Sequence, residues 1–182
     1  GSFLSILFLF TILVLLITPI FILIFAPGFY YDDSKRIIAI DLLRIMFPYL
    51  ALISLVSFAS GIQNTHERFS IPAFTPLIFN ITLIIAAIFI APIISLPVYA
   101  LAWGVLIAGF LQLLIHIYAL KNINRLPTPK INFSHPGQIN VLKLMIPAIL
   151  AGGIVQINLL IDTIFASLLQ TGIWMKMMAW SA

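Results

Sequence analysis

The polar residues of segment 144–169 are the first candidates for chemistry, because the residues around them are apolar enough to cross a membrane. Gln156, Asn158, Asp162 and Thr163 interrupt this apolar run, and Asp162 brings a carboxylate into it. At 100° per residue, Asn158 and Asp162 fall on one side of a helix, and Gln156 and Thr163 fall on another. A helix with two separate polar stripes is expected to touch protein or water on two sides.

Asp162 has two interpretations. A carboxylate at the centre of a span costs about 2.5–3.5 kcal/mol on insertion scales, so its presence needs a reason. The functional interpretation is a site for a cation or a proton, or a polar wall of a substrate cavity. The structural alternative is a protonated or hydrogen-bonded Asp against a neighbouring helix, or a carboxylate that reaches the interface. We favour the functional interpretation, since intramembrane acids are functional candidates by default.

Four other polar residues are weaker candidates for a cavity or an interface. Gln112 and His116 lie four residues apart in an apolar segment, which favours helix–helix contact over a proton relay. Asn80 is a single amide in another apolar segment, and packing is again the favoured interpretation. Arg44 lies one turn before Pro48, where reaching lipid phosphate is favoured over facing a cavity.

Small residues and missing motifs add two expectations. Ser54, Ser57 and Gly61 form a small-residue stripe, which predicts close helix packing. No second His or carboxylate lies at metal-ligand spacing from His116, so we expect no metal centre there. The sequence also has no Gly-rich phosphate loop, no paired carboxylates and no defensible Ser/His/Asp set, which argues against an enzyme and against an organic cofactor.

The composition indicates a membrane protein. The chain of 182 residues is 63% hydrophobic and 8% charged, whereas a soluble domain carries about 25% charged residues. The net charge of +4 comes from residues in short connectors rather than in a run, so no nucleic-acid partner is expected. The absence of cysteine excludes disulfides and thiolate sites.

Five stretches approach the roughly 20 apolar residues that a spanning helix needs, which predicts an all-α, polytopic helix bundle. They are residues 3–26, 45–62, 74–94, 98–120 and 144–169, with Pro19 as a kink in the first. The connector 121–143 holds Lys121, Arg125, Lys130 and Lys143 without an acid, so the positive-inside rule places it in the cytoplasm. Alternation then places 63–70 inside and 27–43 outside.

Several stretches resemble one transporter family. "FPYLALISLVSFASGIQNTHERFSIPAFTPLIFNI" (47–81) and "PAILAGGIVQINLLIDTIFASLL" (147–169) are similar to the lipid II flippase family MurJ, also called MviN. This family lies within the multidrug/oligosaccharidyl-lipid/polysaccharide exporter superfamily. "FAPGF" (25–29), "LAWGVLIAGFLQLL" (101–114) and "LPTPKINF" (126–133) fit the same pattern in the same order, so the resemblance covers about residues 10–172.

The resemblance implies a fragment of a fourteen-helix flippase, with these spans as the third to seventh helices. Residues 1–120 would be four helices of the N-terminal lobe, 121–143 a basic cytoplasmic connector, 144–170 the first helix of the second lobe, and 171–182 an atypical tail. The family moves the undecaprenyl-pyrophosphate-linked peptidoglycan precursor across the bacterial inner membrane by alternating access. The implied partners are that precursor, membrane lipids and the remaining helices of the full-length protein.

The resemblance also bears on the site. The family's cavity arginines lie mainly on its first, second and eighth helices, so none is carried over to this sequence. Asp162 matches a position that is acidic in some members, where it is linked to a sodium site, so Na⁺ or H⁺ coupling is implied.

Two alternatives to a lipid II flippase remain. One is a related exporter for drugs or other polyprenyl-linked sugars. The other is a truncated, non-transporting remnant, because "IWMKMMAWSA" (173–182) departs from the family pattern as a disrupted reading frame would.

Overall fold

The computed structural model describes residues 1–127, 152–153 and 156–165. The chain divides into two compact units, and each is described by itself. The first unit comprises residues 1–15 and 42–130, and the second comprises residues 16–41 and 131–182. Much of the fifth predicted span, the predicted connector from residue 128 onward and the tail lie outside the described residues, whereas Lys121 and Asn122 of that connector belong to the last helix before it.

Helices make up nearly all of the described chain. They are α1 (Ser2–Leu16), α2 (Thr18–Phe25), α3 (Asp33–Met46), α4 (Pro48–Thr65), α5 (Ser70–Ile85), α6 (Pro97–Asn122) and α7 (Gln156–Phe165). A 3₁₀ turn, Pro27–Tyr31, follows α2, and α5 continues into a π-helical turn (Ala86–Ile90) and a 3₁₀ turn (Ala91–Ile93). The all-α class is therefore confirmed.

Three helical stretches are long and apolar enough to cross a membrane. They are Asp33–Thr65, Ser70–Ile93 and Pro97–Asn122, and α1 with α2 would add a fourth if both belong to one broken span. Apart from Ile94, the second, third and fourth predicted spans fall within these three stretches, and the first predicted span corresponds to the pair α1 and α2. Of the fifth, the described part is the shorter apolar helix α7 together with residues 152–153.

Proline sets the helix starts. The first span breaks at Ile17, and Pro19 lies in the first turn of α2, so the predicted kink is a break just before the proline. Pro48 and Pro97 likewise lie in the first turns of α4 and α6. Proline suits this position, because its missing N–H would have no helical partner there.

The predicted connector 27–43 is largely helical, because α3 begins at Asp33 and continues to Met46. Asp32 has an extended backbone, and its carboxylate accepts a hydrogen bond from the backbone N–H of Lys35 at 3.1 Å, as a helix cap does. Asp32 also pairs with Lys35 at 3.4 Å, and Asp33 pairs with Arg36 at 2.7 Å. These charges therefore start a helix within the stretch 27–43, which the sequence interpretation placed between two spans.

Helix α6 is the centre of the first unit and packs against both α4 and α5. Its buried face is rich in small residues, including Ala100, Gly104, Ala108 and Gly109. A Cβ added at Gly104 would lie 2.9 Å from Cβ of Ala86, so the glycine allows a close approach of the two backbones. The opposite side of α6 exposes large apolar residues such as Trp103 and Leu114, which suits contact with lipid.

Helix α1 joins the first unit through aromatic contacts. The ring centroids of Phe3 and Phe58 are 5.8 Å apart, and those of Phe10 and Phe47 are 6.0 Å apart. Since the residue numbers increase along α1 as they decrease from Phe58 to Phe47, α1 runs antiparallel to α4.

Candidate functional site

A hydrogen-bonded chain of buried side chains connects α4, α5 and α6. Nε2 of Gln63 lies 2.7 Å from Nδ1 of His116, and Nε2 of the same ring lies 2.9 Å from Oγ1 of Thr75. Nε2 of Gln112 donates to the backbone oxygen of Thr75 at 2.9 Å. Gln63, Gln112 and His116 are almost completely buried, so these bonds form away from solvent.

The bonding pattern specifies the state of the histidine ring. An amide nitrogen can only donate, so Nδ1 of His116 must accept from Gln63. The hydroxyl of Thr75 donates to the backbone oxygen of Ile71 at 3.1 Å, which leaves its oxygen free to accept. A neutral ring with its proton on Nε2, donated to Thr75, satisfies both contacts.

Two buried oxygens of this network have no hydrogen-bond partner. They are Oε1 of Gln63 and Oε1 of Gln112. A buried polar atom without a partner costs about 1–3 kcal/mol and calls for an explanation. Both residues contribute to the walls of cavities, although each of the two oxygens has less than 1 Å² of accessible surface.

The larger cavity, of about 550 Å³, lies between α4 and α5 with Gln112 of α6 in its wall, and is called the α4–α5 cavity below. Tyr49, Phe79, Ser57 and Asn80 contribute to the wall. The smaller, of about 370 Å³, is lined by Gln63, Glu67 and Arg68 together with the ends of α5 and α6.

The serine–glycine stripe of α4 lies at the α4–α5 cavity. Ser57, Ser60 and Gly61 line it, and no side chain or backbone atom lies within 4 Å of a Cβ added at Gly61. Among the described residues, therefore, no close neighbour packs against Gly61, and the prediction of close helix packing at Ser57 and Gly61 stays a prediction. Ser54, the third member of the predicted stripe, donates its hydroxyl to the backbone oxygen of Leu50 at 2.7 Å.

The weaker candidates separate into three environments. Gln112 and His116 are buried where α6 contacts its neighbouring helices. Asn80 is exposed and lines the α4–α5 cavity. Arg44 is exposed in the last turn of α3.

The residues of α7 are exposed in the second unit. Gln156, Asn158, Asp162 and Thr163 all present accessible side chains, and the hydroxyl of Thr163 donates to the backbone oxygen of Leu159 at 2.8 Å. The part of the chain that the structure describes contains no cluster of three His, Cys, Asp or Glu residues. One carboxylate and one amide on α7 are too few oxygens for a cation site, so further ligands would have to come from elsewhere.

Gln63 and Thr75 were missed by the sequence interpretation. Gln63 was assigned to a connector, but α4 continues to Thr65. Thr75 lies beside Pro76 in the interior of α5, where a small hydroxyl residue gives no signal of its own. Their pairing with His116 spans 53 and 41 residues, which no local pattern reveals.

Comparison with known proteins identifies the family. The family model described as "Lipid II flippase MurJ" matches residues 1–180, so the match extends beyond residues 10–172 and includes most of the tail. The chain is 42% identical over 151 residues to the lipid II flippase MurJ of Burkholderia cenocepacia, covering 81% of the chain and 29% of that protein.

Two further relatives agree. The chain is 46% identical over 151 residues to a probable lipid II flippase MurJ of Buchnera aphidicola from Acyrthosiphon pisum, covering 83% of the chain and 30% of that protein. It is 36% identical over 156 residues to a probable lipid II flippase MurJ of Vibrio cholerae, covering 82% of the chain and 30% of that protein. The chain thus spans about a third of the length of the curated relatives it matches. With the family match and the apolar spanning helices together, the chain belongs to the lipid II flippase MurJ family of membrane proteins.

Proposed function

We propose that this chain is the part of a lipid II flippase that supplies the third to seventh helices, in the bacterial inner membrane. The observation that carries the proposal is the family match over residues 1–180, together with 42% identity to the Burkholderia cenocepacia flippase. The assembled protein would move the undecaprenyl-pyrophosphate-linked peptidoglycan precursor across the membrane by alternating access. It would do so as a transporter, with no catalytic site.

The proposed arrangement follows the basic residues. Lys121 and Arg125, at the end of α6, belong to the connector that the positive-inside rule places in the cytoplasm. The α4–α5 turn with Arg68 would lie on the same side, and the 3₁₀ turn Pro27–Tyr31 on the opposite side. The connector 121–143 would join the two lobes of the full-length protein.

Coupling is proposed for α7. Asp162 and Asn158 lie four residues apart on one exposed side of the helix, and the remaining helices of the full-length protein could bring further oxygen ligands to them. Binding of Na⁺ or a proton there would favour one of the two access states by its difference in affinity between them. Gln156 and Thr163 lie on the other polar side and would line a lobe interface.

Complementation tests the function. Residues 1–180 replace the matching part of the Burkholderia cenocepacia relative, and the chimera is expressed in cells depleted of their own lipid II flippase. We expect growth and cell-wall synthesis to be restored, whereas the relative without this segment should not restore them. A chimera that reaches the membrane in normal amount but leaves the cells to lyse would contradict the proposal.

A further inference from the structure

We propose that the α4–α5 cavity is a subsite for an uncharged ligand that carries hydroxyl and amide groups, namely the amino-sugar part of the lipid-linked precursor. This inference rests on the proposed function and adds to it the chemical group that the cavity accepts. All of the residues that carry it lie in the first unit.

The cavity wall is polar without being charged. It contains four hydroxyl residues, Tyr49, Ser57, Ser60 and Thr75, and three amide residues, Asn64, Asn80 and Gln112. None of its lining residues is Asp, Glu, Lys, Arg or His. A pyrophosphate at membrane depth would need a cationic partner, so this wall suits a neutral part of a ligand.

The wall has one backbone acceptor that its own helix leaves without the usual donor. Pro76 has no N–H, so the carbonyl of Pro72 has no α-helical donor one turn later, and both prolines line the cavity. A ligand with several O–H and N–H groups matches a wall that offers acceptors in this way.

The cavity also has the dimensions and the aromatic surface of a ligand site. Its volume of about 550 Å³ falls within the roughly 300–1,000 Å³ of small-molecule sites. The rings of Tyr49 and Phe79, with centroids 5.5 Å apart, form an apolar part of the wall that suits the C–H face of a sugar ring. Gly61 adds open space, whereas Gly104 and Gly109 of α6 are closely packed by neighbouring side chains.

Cysteine labelling tests the inference, since the chain contains no cysteine. Ser57→Cys is placed in a cysteine-free version of the chimera, with Ser54→Cys, one turn earlier on α4 and outside the cavity wall, as the matched control. We expect a membrane-impermeant methanethiosulfonate reagent to label position 57 much faster than position 54. Slow labelling at both positions would mean that a helix or lipid fills the cavity, and would overturn the inference.

Ligand protection then identifies the group that binds. Lipid II at about ten times its Kd should slow labelling at position 57 by about tenfold, as simple occupancy requires, whereas undecaprenyl pyrophosphate without sugar should not. Asn80→Ala removes an exposed amide of the wall and should weaken protection by roughly two- to tenfold. Equal protection by both lipids, or protection by neither, would overturn the inference. Because the chimera's ability to restore growth is measured separately, that outcome would leave the proposed function standing.

Discussion

Nε2 of Gln63 lies 2.7 Å from Nδ1 of His116, although 53 residues separate them in the chain. The bond links the last turns of α4 to the C-terminal part of α6, and His116 extends the link to Thr75 on α5. Because all three helices contribute, the polar network fixes their mutual register. The other side chains on the buried face of α6 are mostly small and apolar.

The network predicts a specific pattern of stability. His116→Leu leaves the Gln63 amide buried without a partner and should lower the free energy of unfolding by about 1–3 kcal/mol. Adding Gln63→Leu should recover part of this loss, since both polar partners are then apolar. Thermal unfolding in detergent would measure both effects. A double variant that loses as much as the two single variants added together would contradict a direct bond.

Close packing at α6 predicts a difference between two glycines. Gly104→Ala would bring the new methyl group to 2.9 Å from Cβ of Ala86, an atom that cannot rotate away, and should destabilise the protein by about 1–3 kcal/mol. Gly61→Ala should not destabilise it, because nothing lies within 4 Å and alanine favours a helix. Equal unfolding midpoints for both variants would contradict the close packing of α6 against the π-helical turn.

Backbone strain predicts a stabilising change in the α4–α5 turn. Glu67 has φ of 56° and Asn124 has φ of 53°, each just beyond the C-terminal end of a helix. Glycine adopts this conformation without strain, so Glu67→Gly should stabilise the protein by roughly 0.5–1 kcal/mol. Asn124→Gly should gain less, since asparagine tolerates the left-handed region. The ranking of the two unfolding midpoints checks the prediction.

The cap of α3 predicts a pH dependence. The backbone hydrogen bond from Lys35 is the main cause that holds the pKa of the Asp32 carboxyl below its ordinary value of 3.8. The carboxylate therefore stabilises α3 fully above that value and loses its effect as pH falls through the lowered folded pKa. The protection of the Lys35 amide against hydrogen exchange, relative to its intrinsic rate at the same pH, should fall in that acidic window. Asp32→Asn keeps a capping oxygen but does not titrate, so its protection should change less with pH.

The coupling proposal for α7 is tested by Asp162→Asn in the complementing chimera. The substitution removes the charge while keeping an oxygen ligand, and we expect the apparent affinity for the coupling cation to fall about tenfold or more. The companion variant adds Asn158→Asp to Asp162→Asn, because the two changes together move the charge one turn along the same side of the helix. Transport that keeps its sodium and pH dependence in Asp162→Asn would contradict a coupling role.

The helical class and most of the spans could be predicted because they depend on local properties. Hydrophobic length predicted Ser70–Ile93 and Pro97–Asn122 to within a few residues. The helical nature of 33–46 was missed, since charges such as Asp33 and Arg36 can mark either a loop or a capped helix start. The surroundings of Ser57 and Gly61 could not be predicted, because a sequence shows that residues are small but not whether a neighbour fills the space beside them.

By itself the sequence determined that this protein lies in a membrane, that it is helical and which family it resembles. Apolar length and local motifs can be recognised without knowing which residues are close in space. Only the tertiary structure decided which polar residues meet. Gln63 and Thr75 become partners of His116, and Asn80 comes to line a cavity, because α6 packs against both α4 and α5. The physical reason is that hydrogen bonds and cavities depend on distances between helices, which a periodic pattern within one helix does not contain.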